Sequence, residues 1–184
     1  DVYNGLCLGV KGVIAPMAET AFAVSKFTAL VGDLVAEDNR KEIEFAINIE
    51  TITAYNNLDE ILAIKDLSNI QGVTVGRVDF TSSMGGDRSF ADSEEMLEMC
   101  TDIFSKSRDK GLKCGLGGAV SSDSIDFIKS LSEKKLIDKY ETRKVVFAAD
   151  SIFEKPKEGL LKAIEFELLW LRSKQRYYSS IKSE

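Results

Sequence analysis

The stretch Val73-Thr74-Val75-Gly76-Arg77-Val78-Asp79-Phe80-Thr81-Ser82-Ser83-Met84-Gly85 decides the fold. Val73 to Val78 has the β-branched density of a strand covered on both faces, the mark of a parallel sheet. The run ends on an acid, Asp79. A polar, glycine-rich loop, Thr81 to Arg88, follows it. Beyond lies a helical pattern from Ser93 to Lys110, with Leu97, Cys100, Ile103 and Phe104 on its inner side.

The same order recurs on either side. Upstream, Ile43 to Ile49 reads as a strand that terminates in Glu50-Thr51, and Tyr55 to Ile64 as a helix with Leu58, Ile61, Leu62 and Ile64 inward. Earlier still, the strand Gly12 to Ala15 ends at Pro16 and leads to a helix from Thr20 to Val35. Downstream, Leu112 to Val120 is a glycine-rich strand, and Ser121, Ser122 and Asp123 are good caps for a helix from Ser124 to Leu131. Lys144 to Ala149 is the last expected strand, and a long helix from Lys157 to Lys182 closes the chain. Units of strand then helix with short connections predict right-handed crossovers and a parallel α/β sheet. A doubly wound sheet and a barrel both satisfy that order. A complete barrel takes eight units and about 250 residues, so on the barrel reading roughly three units precede Asp1. Residues 1–184 read as one domain, with 157–182 as its C-terminal helix.

Composition narrows the chemistry. No run of about 18 apolar residues appears, so no membrane span is expected, and a cytoplasmic protein is the reading. A net charge of -6 and a pI near 4.9 work against a phosphate backbone, so nucleic acid is not an expected partner. The basic residues near the C-terminus, Arg172, Lys174, Arg176 and Lys182, read as a solvated helix face. Cys7, Cys100 and Cys114 are widely spaced, with no CxxC, and histidine is absent. Disulfide frameworks, zinc sites and Ser/His or Cys/His nucleophiles lose their usual signature. The cysteines read as small apolar filling. Acid/base work must come from carboxylates, Lys, Tyr, a bound water or residues outside this chain.

In parallel α/β folds reactive groups gather at the carboxyl edge of the sheet. Glu50 and Asp79 each sit at an expected strand end. A carboxylate losing its hydration there needs a cation, donors or a proton. Two of them on neighbouring strands suit a hard divalent ion such as Mg²⁺ or Mn²⁺, although strand-end acids also cap helices. Arg77 is either an anion clamp or the structural partner of an acid. Ser82 and Ser83 are either substrate contacts or helix-starting hydroxyls of a turn. Gly115-Leu116-Gly117-Gly118 allows close packing or leaves room for a ligand.

Three segments together, Ala15-Pro16-Met17-Ala18-Glu19-Thr20, Ile49-Glu50-Thr51 with Asn57-Leu58-Asp59-Glu60-Ile61, and Val75 to Gly85, resemble the HpcH/HpaI aldolase and citrate-lyase β-subunit family in order and spacing. The resemblance implies a TIM-type (β/α)8 barrel of which this chain holds about the last five units, with Gly12 to Ala15 as fourth strand and Lys144 to Ala149 as eighth. It implies Glu50 and Asp79 as ligands of Mg²⁺ or Mn²⁺. The backbone N–H groups of Val78 and Asp79 would hold the carboxylate of pyruvate or oxaloacetate. The implied reaction makes or breaks a C–C bond between a 2-oxo acid and an aldehyde through a metal-bound, pyruvate-type enolate.

This chain departs from the pattern in two ways. Arg77 stands where many family aldolases have Pro, and the family's catalytic His and substrate-binding Arg belong to earlier strands. Either the acid/base group lies upstream of Asp1, or the protein is a non-catalytic ligand-binding or scaffold member of the fold. A citrate-lyase-like enzyme acting on CoA thioesters is a further alternative. The final helix, with Leu169 and Trp170 on its apolar side, either contacts a second copy in a homo-oligomer or covers this chain's own barrel.

Overall fold

The computed structural model describes residues 1–181. Six strands form one sheet in the order β1 (Gly12–Ala15), β2 (Glu44–Ile49), β3 (Gly72–Gly76), β4 (Lys113–Gly117), β5 (Lys139–Glu141) and β6 (Val146–Ala148). The first five run parallel, and β6 returns antiparallel to β5. Each crossover therefore steps in the same direction across the sheet. A doubly wound sheet would reverse at a switch point. Strictly sequential order is that of a partial TIM-type barrel.

The helices are α1 (Val2–Cys7), α2 (Ala21–Leu34), α3 (Glu37–Arg40), α4 (Ile52–Asn56), α5 (Leu58–Ile61), α6 (Arg77–Ser83), α7 (Glu94–Asp109), α8 (Ile125–Glu133) and α9 (Pro156–Ile181). Strand alternation sets the core. Phe45, Ile47 and Ile49 of β2, Val73 and Val75 of β3, and Cys114 and Leu116 of β4 are buried in a cluster with Met96, Cys100, Ile103 and Phe104 of α7. Ser93 caps α7 by accepting from the Met96 N–H at 3.1 Å, and Glu94 and Glu95 occupy its first turn, where they oppose the helix dipole. Burial pushes the Cys100 and Cys114 thiols up to about 12, so they are inert filling as expected. Cys7 is exposed and fills nothing.

The other strand face is polar. Register aligns Ala46 with Gly72 and Lys113, and Asn48 with Thr74 and Gly115. At the amino edge Glu44 pairs with Lys113 at 3.1 Å and Lys139 at 3.3 Å. Burial pushes the Glu44 carboxyl up, but the two ammonium groups outweigh it and hold it below its ordinary value.

Four expectations need correction. The strand from Val73 stops at Gly76, and Arg77 to Ser83 is helical, so Asp79 lies in a first helical turn and not at a strand end. The expected loop Thr81 to Arg88 accordingly begins inside α6. The expected helix Tyr55 to Ile64 is two short pieces starting earlier, at Ile52, and broken at Asn57, whose side-chain amide donates to the Glu19 carbonyl at 2.8 Å. Lys144 to Ala149 is not the next parallel strand. That strand is β5, and Val146–Ala148 folds back on it through a turn in which the Thr142 N–H donates to the Val145 carbonyl at 2.9 Å.

The expected C-terminal helix agrees with α9, Lys182 lying outside the described residues. Its Leu160 and Ala163 are buried, but Leu161, Ile164, Leu168, Leu169 and Leu171 are exposed, so its apolar stripe is only partly covered by this chain. Trp170 lies between the Lys144 and Lys174 ammonium groups, 3.8 and 4.6 Å from its ring centre. No described helix is long and apolar enough to cross a membrane.

Replacing Phe104 with Ala is expected to cost about 3–5 kcal/mol in urea unfolding. Phe22→Ala, at a side chain 71% exposed, should stay within about 0.5 kcal/mol.

Candidate active site

Glu50 follows the last residue of β2 and continues the inward-facing series of Ala46 and Asn48. It is 6% exposed. Its Oε1 accepts from the Met17 N–H at 2.9 Å, and its Oε2 from the Asn48 side-chain amide at 3.2 Å. Both donors are neutral, and among the described residues no cation pairs with it. Met17 reaches it from the loop after β1 with a left-handed backbone, φ 50°, a conformation costing a non-glycine residue roughly 1–2 kcal/mol. Strain of this kind concentrates at functional sites.

The space for this carboxylate comes from the neighbouring strand. A Cβ at Gly76 would lie 2.5 Å from Glu50 Oε2 and 3.1 Å from its Cβ, so only glycine lets the carboxylate lie over the end of β3. Thr51 caps α4, accepting from the Ala54 N–H at 3.1 Å. The Ser83 hydroxyl accepts from the Ile52 N–H at 2.8 Å and donates to the Phe80 carbonyl at 2.6 Å, tying the loops after β2 and β3 together.

Arg77 takes one of its two expected roles. The side chain is fully buried. Nε donates to the Gly117 carbonyl at 3.3 Å. Nη1 donates to the Ala91 carbonyl at 2.9 Å and to the Asp92 carboxylate, and Nη2 to the Gly118 carbonyl at 2.8 Å and Ser124 Oγ at 3.3 Å. Its guanidinium carbon lies 4.7 Å from the Phe127 ring centre. All five N–H groups of a guanidinium are thus engaged, leaving none for a substrate. The expected substrate clamp is corrected: Arg77 is the structural partner of an acid.

Asp79 is exposed, in the first turn of α6. A carboxylate there is favoured by the unpaired N–H groups and the dipole. The Val78 N–H belongs to the same turn. The loop after β4 presses on it: a Cβ at Gly118 would lie 2.5 Å from the Arg77 nitrogen and 2.7 Å from the Val78 nitrogen. Gly118 and Ala119 are both left-handed, φ 78° and 56°. The Ser82 hydroxyl donates back to the Val78 carbonyl at 2.9 Å and is exposed.

Sequence reasoning missed two residues of this edge. Asn48 orients Glu50, and a lone amide in an otherwise apolar strand was its signal. Glu141, at the end of β5, lines a cleft of about 390 Å³ with Gly118, Ser121, Arg88 and Arg143. Burial pushes its carboxyl above the ordinary value, with Lys139 pulling it back in part. A second hollow, of about 490 Å³, lies between the starts of α8 and α9 and takes no residue from a strand end.

A sequential parallel sheet with a buried carboxylate at its carboxyl edge defines a barrel-type α/β protein. The chain belongs to the HpcH/HpaI aldolase/citrate lyase family, whose sequence model matches residues 1–123. Solved structures share the fold. It is similar to the HpcH/HpaI aldolase from Desulfitobacterium hafniense DCB-2 (15% identity, 72% of this chain and 57% of that one, TM-score 0.57). It is likewise similar to the citrate synthase SbnG (13%, 96% and 69%, TM-score 0.65). A third is an HpcH/HpaI aldolase/citrate lyase family protein from Burkholderia cenocepacia J2315 (16%, 93% and 68%, TM-score 0.58). The chain thus spans 57% to 69% of the length of these three. No curated protein sequence matches it significantly.

Arg77→Ala is expected to cost about 3–5 kcal/mol of stability with no ligand present, because it strands the Asp92 charge and several carbonyls. An unchanged urea midpoint would return Arg77 to the role of a substrate residue.

Proposed function

We propose that this protein is a divalent-metal-dependent carbon–carbon lyase of the aldolase type, acting on a 2-oxo acid and releasing or adding an aldehyde. The observation that carries the reading is Glu50. It is buried, held by neutral donors and unmatched by any positive side chain among the described residues, in a chain of an aldolase and citrate lyase family.

The donor chemistry of Glu50 supports a hard cation. An ionised carboxylate offers about four lone-pair sites, and Met17 and Asn48 occupy only some of those on Glu50. Their hydrogen bonds aim it as outer partners aim a metal ligand. The glycine at 76 keeps the approach open. Glu50 and Asp79 would hold Mg²⁺ or Mn²⁺. The ion's contribution is to stabilise negative charge that develops on the substrate's keto oxygen when the C–C bond breaks.

The chain's own groups do the remaining positioning. The Val78 and Asp79 N–H groups, in the first turn of α6, would receive the carboxylate of a pyruvate- or oxaloacetate-like unit. Ser82 stands at the rim, while the Ser83 hydroxyl is committed to Ile52 and Phe80 and contributes by fixing the loop.

Glu50→Ala and Asp79→Ala should each abolish Mn²⁺ binding in calorimetry while leaving the circular dichroism spectrum intact. The unaltered protein should release pyruvate from 4-hydroxy-2-oxo acids only with Mg²⁺ or Mn²⁺. Undiminished Mn²⁺ affinity in both variants contradicts the assignment.

A further inference from the structure

The carboxyl edge carries a second unmatched carboxylate. Gly76 and Gly117 are register partners on β3 and β4. Glu50 leans over the first. Glu141 leans over the second, because a Cβ at Gly117 would lie 3.2 Å from Glu141 Oε1 and 3.3 Å from its Cγ. Neighbouring strands are about 4.8 Å apart, which puts the two carboxylates within roughly 10 Å of each other across a floor of two glycines. That floor is long enough for a small substrate held at Glu50 to reach toward Glu141.

Nothing in the fold accounts for Glu141. Among the described residues it accepts no hydrogen bond and joins no ion pair, whereas Glu44, on the same face at the opposite edge, has two lysines. A half-buried carboxylate without a partner costs stability and returns none. Groups of this kind in clefts are functional candidates. Its charged surroundings are Lys139 on its own strand, Arg88 and Arg143 from the flanking loops, Glu167 from α9, and Glu50 across the floor. Residue 141 also lies beyond the segment that matches the family, which ends at 123.

We propose that Glu141 is the proton-transfer residue of this site, an inference that rests on the lyase reading above. In the cleavage direction the Glu141 carboxylate takes the proton of the C4 hydroxyl of a 4-hydroxy-2-oxo acid. The C3–C4 bond breaks, its electron pair passing into the enolate while the aldehyde forms and leaves. The Glu141 carboxylic acid then returns that proton to C3, completing pyruvate and restoring the carboxylate. No oxidant or reductant is consumed.

The test compares the unaltered protein with Glu141→Gln and Glu141→Asp in the presence of Mn²⁺, with 4-hydroxy-2-oxopentanoate as probe. Glu141→Gln should lower kcat by about 10²–10⁴-fold. Its Mn²⁺ affinity should be unchanged, and its unfolding temperature no lower, because a neutral amide removes the cost of burying a charge. The unaltered protein should show an acid limb in kcat/KM above the ordinary glutamate value of about 4.3, absent from Glu141→Gln and partly restored in Glu141→Asp. A Glu141→Gln kcat within about threefold of the unaltered protein, with the acid limb kept, overturns the role of Glu141 alone. An unaltered protein that binds Mn²⁺ yet releases no pyruvate from any 4-hydroxy-2-oxo acid overturns the lyase reading and this inference together.

Discussion

The buried guanidinium of Arg77 organises the carboxyl edge. It stands at the residue where β3 becomes α6, and its hydrogen bonds gather the end of β4, the segment at Ala91 and Asp92, and the cap of α8 at Ser124. Lysine could not do this, since only a planar fork offers five fixed donors. Because the fork pulls the chain inward at 77, the strand must end at Gly76. The turn that begins there carries Val78 and Asp79 into the first turn of a helix. The candidate centre owes its shape to an interaction that itself touches no ligand.

The inner face of the sheet is then layered. At the amino edge Glu44 is neutralised by Lys113 and Lys139. In the middle Asn48, Thr74 and Gly115 share a row, where Asn48 Oδ1 and Thr74 Oγ1 are buried without a partner among the described residues. At the carboxyl edge Glu50 and Glu141 flank two glycines, and among the described residues neither joins an ion pair. Charge is satisfied at one end and left open at the other, which gives the face a direction. A fold built for stability alone would not leave two acids without an ion pair and two buried polar atoms without a hydrogen bond on one side.

Much of this was legible in the sequence. An apolar run of strand length located β2, β-branched density located β3, three-and-four spacing located α2 and α7, and Glu50 stood out as the acid ending a buried strand. The misreadings have physical causes. Val78 continues the β-branched run of β3, and the long-range bonds that the Arg77 guanidinium makes at the strand's end are encoded in no local pattern. β5 is three residues long with a single apolar side chain, Tyr140, because Lys139 and Glu141 face the polar interior. It therefore lacks the apolar run by which its neighbours announce themselves, and Glu141 was invisible with it. The break at Asn57 depends on a carbonyl 38 residues away, a contact that no local pattern encodes.

The most direct test of the central claim is anomalous scattering from a crystal of the protein grown with Mn²⁺. A peak coordinated by carboxylate oxygens of both Glu50 and Asp79 is the predicted result. A peak bound elsewhere, or to only one of the two acids, would contradict the account.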